Sequence, residues 1–305
     1  MSQLTFTVFT PTYNRAHLLG RAYESLRAQT FRDFEWIIVD DGSQDCTAEL
    51  VRQWQSQAEF RIEYLWQPNS GKHVAVNRGV GRARGELFAI LDSDDWLVPT
   101  ALERIVHHWQ TIPETERERY AGVCGLFADA NGTVIGTPFP TSPLDADLIS
   151  VYARYHVRGD KFLVNRTAVL KEFPFPEDLG RFVTEALVWN RIARKYITRF
   201  VNEVFAHAEY QPDGLSAQSV RLRAQSYRAA CTYYLEYATL PPAYINLWQR
   251  VRAYANWIRF SMHGKHGLQE QFRGSPSKLC YLLALPIGIA AYYCDRYKLH
   301  KTERT

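Results

Sequence analysis

The chain has 305 residues, 46% of them hydrophobic and 14% aromatic, enough for one large domain or a domain with a substantial appendage, and this composition excludes a disordered protein. A formal net charge of +4 is too mild to argue for nucleic acid as a partner. Five scattered cysteines form neither a C-x-x-C pair nor a zinc-spaced cluster, and residues 1–15 carry no basic and apolar leader, so the expectation is a cytoplasmic protein without a disulfide scaffold.

Residues 4–10 form a β-branched and aromatic run ended by Pro11 and read as a buried strand. Residues 16–29 place Leu18, Leu19, Ala22 and Leu26 at helical spacing. A second strand is expected over 34–39, where Trp36-Ile37-Ile38-Val39 is apolar without interruption, as in parallel strands buried on both faces. Helix 45–55, strand 62–66, helix 72–84, strand 87–91 and helix 100–110 continue the alternation. Such alternation with short connections predicts a doubly wound, mainly parallel α/β sheet with right-handed crossovers. After residue 115 the rhythm changes. A hairpin is expected over 122–135 with Asn131-Gly132 as its turn, then a Pro-rich stretch, a helix, a strand at 162–165 and a helix over 185–195. From about residue 218 the sequence is helical, aromatic and basic.

In an open α/β sheet, ligands bind outside the carboxyl ends of the strands, near the point where strand order reverses. The segments after the first four expected strands are Pro11-Thr12-Tyr13-Asn14-Arg15, Asp40-Asp41-Gly42-Ser43, Asn69-Ser70-Gly71-Lys72 and Asp92-Ser93-Asp94-Asp95. Two acidic clusters and two cations therefore converge on one edge. Asp92, Asp94 and Asp95 put three carboxylates in four residues, which suits Mg²⁺ or Mn²⁺ as well as a solvated turn capping the next helix. The apolar residues on both sides of the cluster favour the cation, because burying the trio without one is costly. Asp40-Asp41-Gly42-Ser43 has an equally plain reading as a turn and helix cap. Tyr13 can stack on a base, and Arg15 and Lys72 can meet phosphate charge. Gly79-Val80-Gly81-Arg82-Ala83-Arg84-Gly85 imitates a dinucleotide fingerprint but closes a helix instead of opening one. The adjacent His107 and His108 point apart on their helix and cannot chelate together.

Taken in order, these four segments, with Asn77, resemble the family 2 glycosyltransferases of the GT-A fold, densely over residues 4–110 and loosely to about 215. The resemblance implies a nucleotide-sugar donor, commonly UDP-linked, a divalent cation (Mn or Mg), an acceptor hydroxyl on a carbohydrate or lipid-linked glycan, and inversion. It implies that Pro11 and Tyr13 flank the base with Arg15 nearby, that Asp41 meets the base edge, and that Lys72 lies near the diphosphate. Gly71 and Ser93 count with them as donor-binding positions. Asp92 would face the ribose or the metal, Asp94 would be the firmest metal ligand, and Asp95 would assist. The family usually carries its general base in a Glu-Asp pair opening a helix that bears Trp and Arg. Aligning Trp189 and Arg191 puts Glu185 at the base position and Thr184 where the family has Glu, a departure from the pattern. Glu177-Asp178 is the rival. A nucleotidyltransferase, which would usually show a Gly-rich basic loop after the first strand, and a non-catalytic membrane-associated module are the competing readings.

The expected division is a catalytic domain over 1–218 and a helical C-terminal extension over 219–305. Residues 221–305 hold 13 Lys/Arg against four Asp/Glu, and 279–294 carry no charge. Two readings follow: an interfacial or re-entrant segment at an anionic membrane surface, peripheral on its inner face, or a helix packed onto the catalytic domain.

Overall fold

A computed structural model describes residues 4–209, 211, 214 and 218–302. The chain forms two compact units, Met1–Phe175 with Arg191–Gln211, and Pro176–Asn190 with Pro212–Thr305.

The first unit is built on nine strands: β1 (Leu4–Thr12), β2 (Phe34–Asp40), β3 (Arg61–Trp66), β4 (Gly85–Ile90), β5 (Trp96–Leu97), β6 (Tyr120–Ala128), β7 (Leu144–Ala146), β8 (Lys161–Arg166) and β9 (Ile197–His207). Their order is β3-β2-β1-β4-β8-β6-β9-β5, with β7 on β9. The early helices α1 (Ala16–Arg27), α2 (Thr47–Gln57), α3 (Lys72–Arg82) and α4 (Ala101–Gln110) fall where the periodicity puts them. Strands β1 to β4 are parallel, and every residue of β2 is buried, which is why its sequence runs apolar instead of alternating. One core face is aromatic: Tyr23 of α1 stacks on Trp54 of α2 at 4.5 Å, and both pack beside Trp36 of β2.

The far half departs from the parallel expectation. Strand β8 is inserted between β4 and β6 and is antiparallel to both, while β6 and β9 pair in parallel through register shifts. The expected hairpin is reduced to one bridge, Ala128 to Val134. Its turn is organised by the Asp129 carboxylate, which accepts the Asn131 and Thr133 amides at 2.9 Å. The helices α5 (Leu148–Ala153) and α6 (Thr167–Glu172) complete this unit, and the unit boundary falls inside α7 (Ala186–Ala193). The fingerprint-like glycines lie at the end of α3, where a Cβ on Gly79 would meet the Phe9 ring at 2.3 Å; packing, not a phosphate, accounts for that glycine.

The second unit contains α8 (Ser219–Gln225), α9 (Tyr227–Ala238), α10 (Leu247–His263), α11 (Leu268–Gly274) and α12 (Lys278–Thr302). Tyr254, Trp257 and Ile258 of α10 pack on Cys280, Tyr281 and Ala284 of α12. Buried Asp295 of α12 accepts from the Arg259 guanidinium and from His263 at 3.1 Å. The division differs from a cut at 218/219. Residues 176–190 join the helical unit because the Phe182 amide donates to Ser226 Oγ at 3.0 Å and Asp178 lies 3.9 Å from Arg228. All five cysteines are unbridged.

Candidate active site

Strand register decides which residues meet. Thr12 lies opposite Asp40, and Asp40 opposite Trp66, so β1, β2 and β3 end on one edge of the sheet. The Leu91 amide donates to the Phe9 carbonyl at 2.8 Å, which brings the segment after β4 out beside the end of β1. Because β1 is flanked by β2 and β4, strand order reverses across it, the place where open α/β sheets bind their ligands. Pro11, Tyr13, Arg15, Asp41, Gly71, Lys72, Asp92, Ser93 and Asp94 all lie in these strand ends and the loops after them.

The loop walls are fastened to one another. The Asn14 amide donates to Ser43 Oγ and the Gln44 amide to Asn14 Oδ1, both at 2.8 Å. Asn14 holds a left-handed backbone with φ of 52°, a conformation its short polar side chain tolerates. Gly42, at φ of 92°, lets the second loop fold against the third: a Cβ there would lie 2.8 Å from the Asn69 amide nitrogen. Pro11 is buried within β1, and the Tyr13 ring is 47% exposed.

The two adjacent aspartates do different work. Asp40 accepts the Ser43 amide at 2.7 Å and the Tyr64 hydroxyl at 2.6 Å. Asp41, only 5% exposed, accepts Gln67 Nε2 and the Ser70 amide on one oxygen and the Gly71 amide on the other, each at 2.8 Å. A carboxylate has about four acceptor positions, so roughly one remains for an incoming N–H donor. Asp41 thus fixes the 67–71 loop, and with it the start of α3.

Lys72, the first residue of α3, places its ammonium 2.7 Å from the Asp92 carboxylate. Asp92 opens a turn closed by the Asp95 amide on the Asp92 carbonyl at 3.1 Å. Burial, followed by the charges of Asp92 and Asp94, pushes the Asp95 carboxyl up to about 9. The Asp94 carbonyl accepts from Arg21 of α1 at 3.3 Å, while the same guanidinium lies 4.6 Å from the Trp96 ring centroid and pairs with Glu209. Among the described residues no three His, Cys, Asp or Glu side chains close into a metal cage. Magnesium and manganese do not need one: one or two carboxylates suffice when a diphosphate supplies further oxygens. Hard oxygen donors with an excess of negative charge suit such a cation.

Glu185 belongs to the other compact unit and sits immediately before α7. Its carbonyl accepts the Val188 and Trp189 amides, and its Oε2 accepts the Trp189 indole N–H at 3.4 Å. Asp178 of the rival pair is exposed and faces Arg228.

Residues 7–135 match the family described as glycosyl transferase family 2. That stretch is a family 2 glycosyltransferase domain. The GalNAc(5)-diNAcBac-PP-undecaprenol beta-1,3-glucosyltransferase of Campylobacter jejuni is 31% identical over 188 residues, 60% of this chain and 58% of that protein. The chain spans only 16–58% of the length of the curated relatives it matches first. Among solved structures, S. aureus TarS 1–349 in complex with UDP-GlcNAc has a TM-score of 0.59 at 20% identity, over 98% of this chain and 92% of that one. The mannosyltransferase of Pyrobaculum calidifontis in complex with GDP-Man and Mn²⁺ has a TM-score of 0.59 at 18% identity, over 96% and 82%. At these identities the structures establish the GT-A fold.

Within the family 2 domain, the residues that sequence reasoning passes over are the supports. Arg21 under the acidic turn, Gln67 against Asp41 and Tyr64 against Asp40 carry no local pattern, because each is defined by a contact between distant loops.

Proposed function

We propose that the chain is an inverting, metal-dependent glycosyltransferase that moves a sugar from a nucleoside-diphosphate donor, UDP-linked by preference, to an acceptor hydroxyl. The observation that carries this reading is the acidic turn 92–95 beside Lys72, at the strand ends of a GT-A sheet. The donor complexes of the two structural relatives support the donor class, and the Mn²⁺ of one supports the cation. The name of the C. jejuni relative, which acts on a diphospho-undecaprenol-linked glycan, supports a lipid-linked acceptor in glycolipid or polysaccharide assembly. Such an acceptor would be met at the inner face of an anionic membrane by a peripherally bound enzyme.

In this mechanism the exposed Tyr13 ring stacks on the base, and Asp41 offers its remaining acceptor position to the base edge. Asp94 and Asp92 would hold the cation, which when bound would supply positive charge to the diphosphate of the departing nucleotide. Lys72, freed from Asp92, meets a diphosphate oxygen. The Glu185 carboxylate takes the proton of the acceptor hydroxyl, whose oxygen bonds to the anomeric carbon. The bond from that carbon to the β-phosphate oxygen breaks, and its electron pair leaves with the nucleoside diphosphate. A nucleotidyltransferase would attack phosphorus instead, and no observation favours that outcome. The test is nucleotide release from a panel of nucleoside-diphosphate sugars with and without Mn²⁺. Mn²⁺-stimulated release from one donor is expected; release from none of them refutes the reading.

A further inference from the structure

Helix α12 is apolar on two faces, and only one of them is covered. Its buried face carries Tyr281, Ala284, Gly288 and Asp295 against α10, where a Cβ on Gly288 would lie 2.7 Å from the Ala255 carbonyl oxygen. On the opposite face Leu279, Leu282, Leu283, Ile287, Tyr293 and Tyr297 are between 42% and 74% exposed. Pro286 and Ala290 fill the gaps between them and are exposed as well. At about 100° per residue these eight side chains fall within an arc of about 140° that holds no charged side chain between residues 279 and 297. A helix apolar all round belongs in a core, and a soluble surface rarely carries so continuous an apolar strip.

The occupant follows from charge and length. Arg296 and Lys298 are exposed on the last described turns, on the borders of the arc, and the one acid between 278 and 302, Asp295, is buried and paired with Arg259. The uncharged run 279–294 would extend only about 24 Å as a helix, short of a hydrocarbon core of about 30 Å. No helix among the described residues is long and apolar enough to cross a membrane. A strip of leucines and tyrosines with cations at one end matches a helix lying in the headgroup plane of an anionic bilayer.

We propose that α12 docks flat on an anionic lipid surface through this strip, with α10 holding its other face. The proposal rests on the membrane part of the function proposed above and makes it specific; it does not depend on the donor chemistry. The test is flotation of the full chain with vesicles of phosphatidylcholine alone or mixed with phosphatidylglycerol, for the wild type and for Leu282→Ser/Leu283→Ser/Ile287→Ser. Wild-type chain should float with the anionic vesicles, and the triple variant should float at least tenfold less. Circular dichroism should be superimposable for both, since the altered residues are exposed. Flotation of the triple variant equal to wild type, or no flotation of wild type, overturns the proposal. A lipid-free dimer that the triple variant converts to monomer also overturns it, by assigning the strip to a second copy. Nucleotide release measured on the same samples separates the two readings: floating chain without release rejects the enzyme and leaves the docking, and release without flotation does the reverse.

Discussion

Asp40 and Asp41 are adjacent and both buried, yet one closes its own turn and the other holds a neighbouring loop. Asp41→Asn replaces one acceptor oxygen with a donor facing Gln67 and Ser70 or Gly71, so at least one buried N–H loses its partner. The expected cost is about 1–3 kcal/mol, read as a shift in denaturant midpoint, together with weaker donor binding by calorimetry. Wild-type values for both would remove Asp41 from its supporting role. Glu185→Gln separates chemistry from binding. General-base catalysis is worth about 10²–10⁴-fold, so turnover should fall by that range while donor affinity stays within about twofold. A variant with near-normal turnover would place the base elsewhere. Both carboxylates are legible as candidates, Asp41 from its place at a strand end and Glu185 from the family resemblance around Trp189 and Arg191. Their partners are not. Gln67 becomes significant only once the loops are placed, and the bond from the Trp189 indole to Glu185 only once the helix start is.

At the scale of elements, the long strands and amphipathic helices are legible because their periods repeat several times. Strands of two and three residues, β5 and β7, offer no period to detect. The antiparallel insertion of β8 is a matter of pairing, which local sequence does not encode. Pairing also reassigns a residue that had only a negative reading: His108 bonds Glu203 of β9 at 2.7 Å, alongside Arg104 of the same helix. The Arg104 guanidinium, with help from His108, holds the Glu203 carboxyl down at about 2, against an ordinary 4.5. The folded carboxyl binds its proton less readily than the unfolded one. Its stabilisation is therefore complete above about pH 4.5 and is lost as pH falls towards about 2. With a third of the Glu203 side chain exposed, solvent screening limits the pair to about 1 kcal/mol. Glu203→Gln should melt lower than wild type near neutrality, and the gap should close between about pH 4.5 and 2. A gap independent of pH in thermal melts would show that packing, not charge, is lost.

For the molecule as a whole, the mild net charge conceals a division: residues 1–220 sum to −5 and residues 221–305 to +9. Composition finds that division but misplaces the structural one. The segment 176–190 carries no marker of its own, and it joins the helical unit through Ser226 and Arg228, partners 44 and 50 positions onward.

The insertion of β8 also predicts an order of assembly. The Thr7 hydroxyl reaches Glu35 of β2 across 28 residues, whereas the hydroxyl of Thr167, the residue after β8, reaches the Gly85 carbonyl of β4 across 82. Closing the longer loop costs more chain entropy and returns contacts later. The β1–β2–β3 half can assemble while the edge of β4 stays open, a bare strand that invites pairing with another chain until β8 arrives. Pulse-labelled amide exchange during refolding should protect Trp36 to Ile38 before Val164 and Asn165. Simultaneous protection of both would mean that the sheet forms in one step.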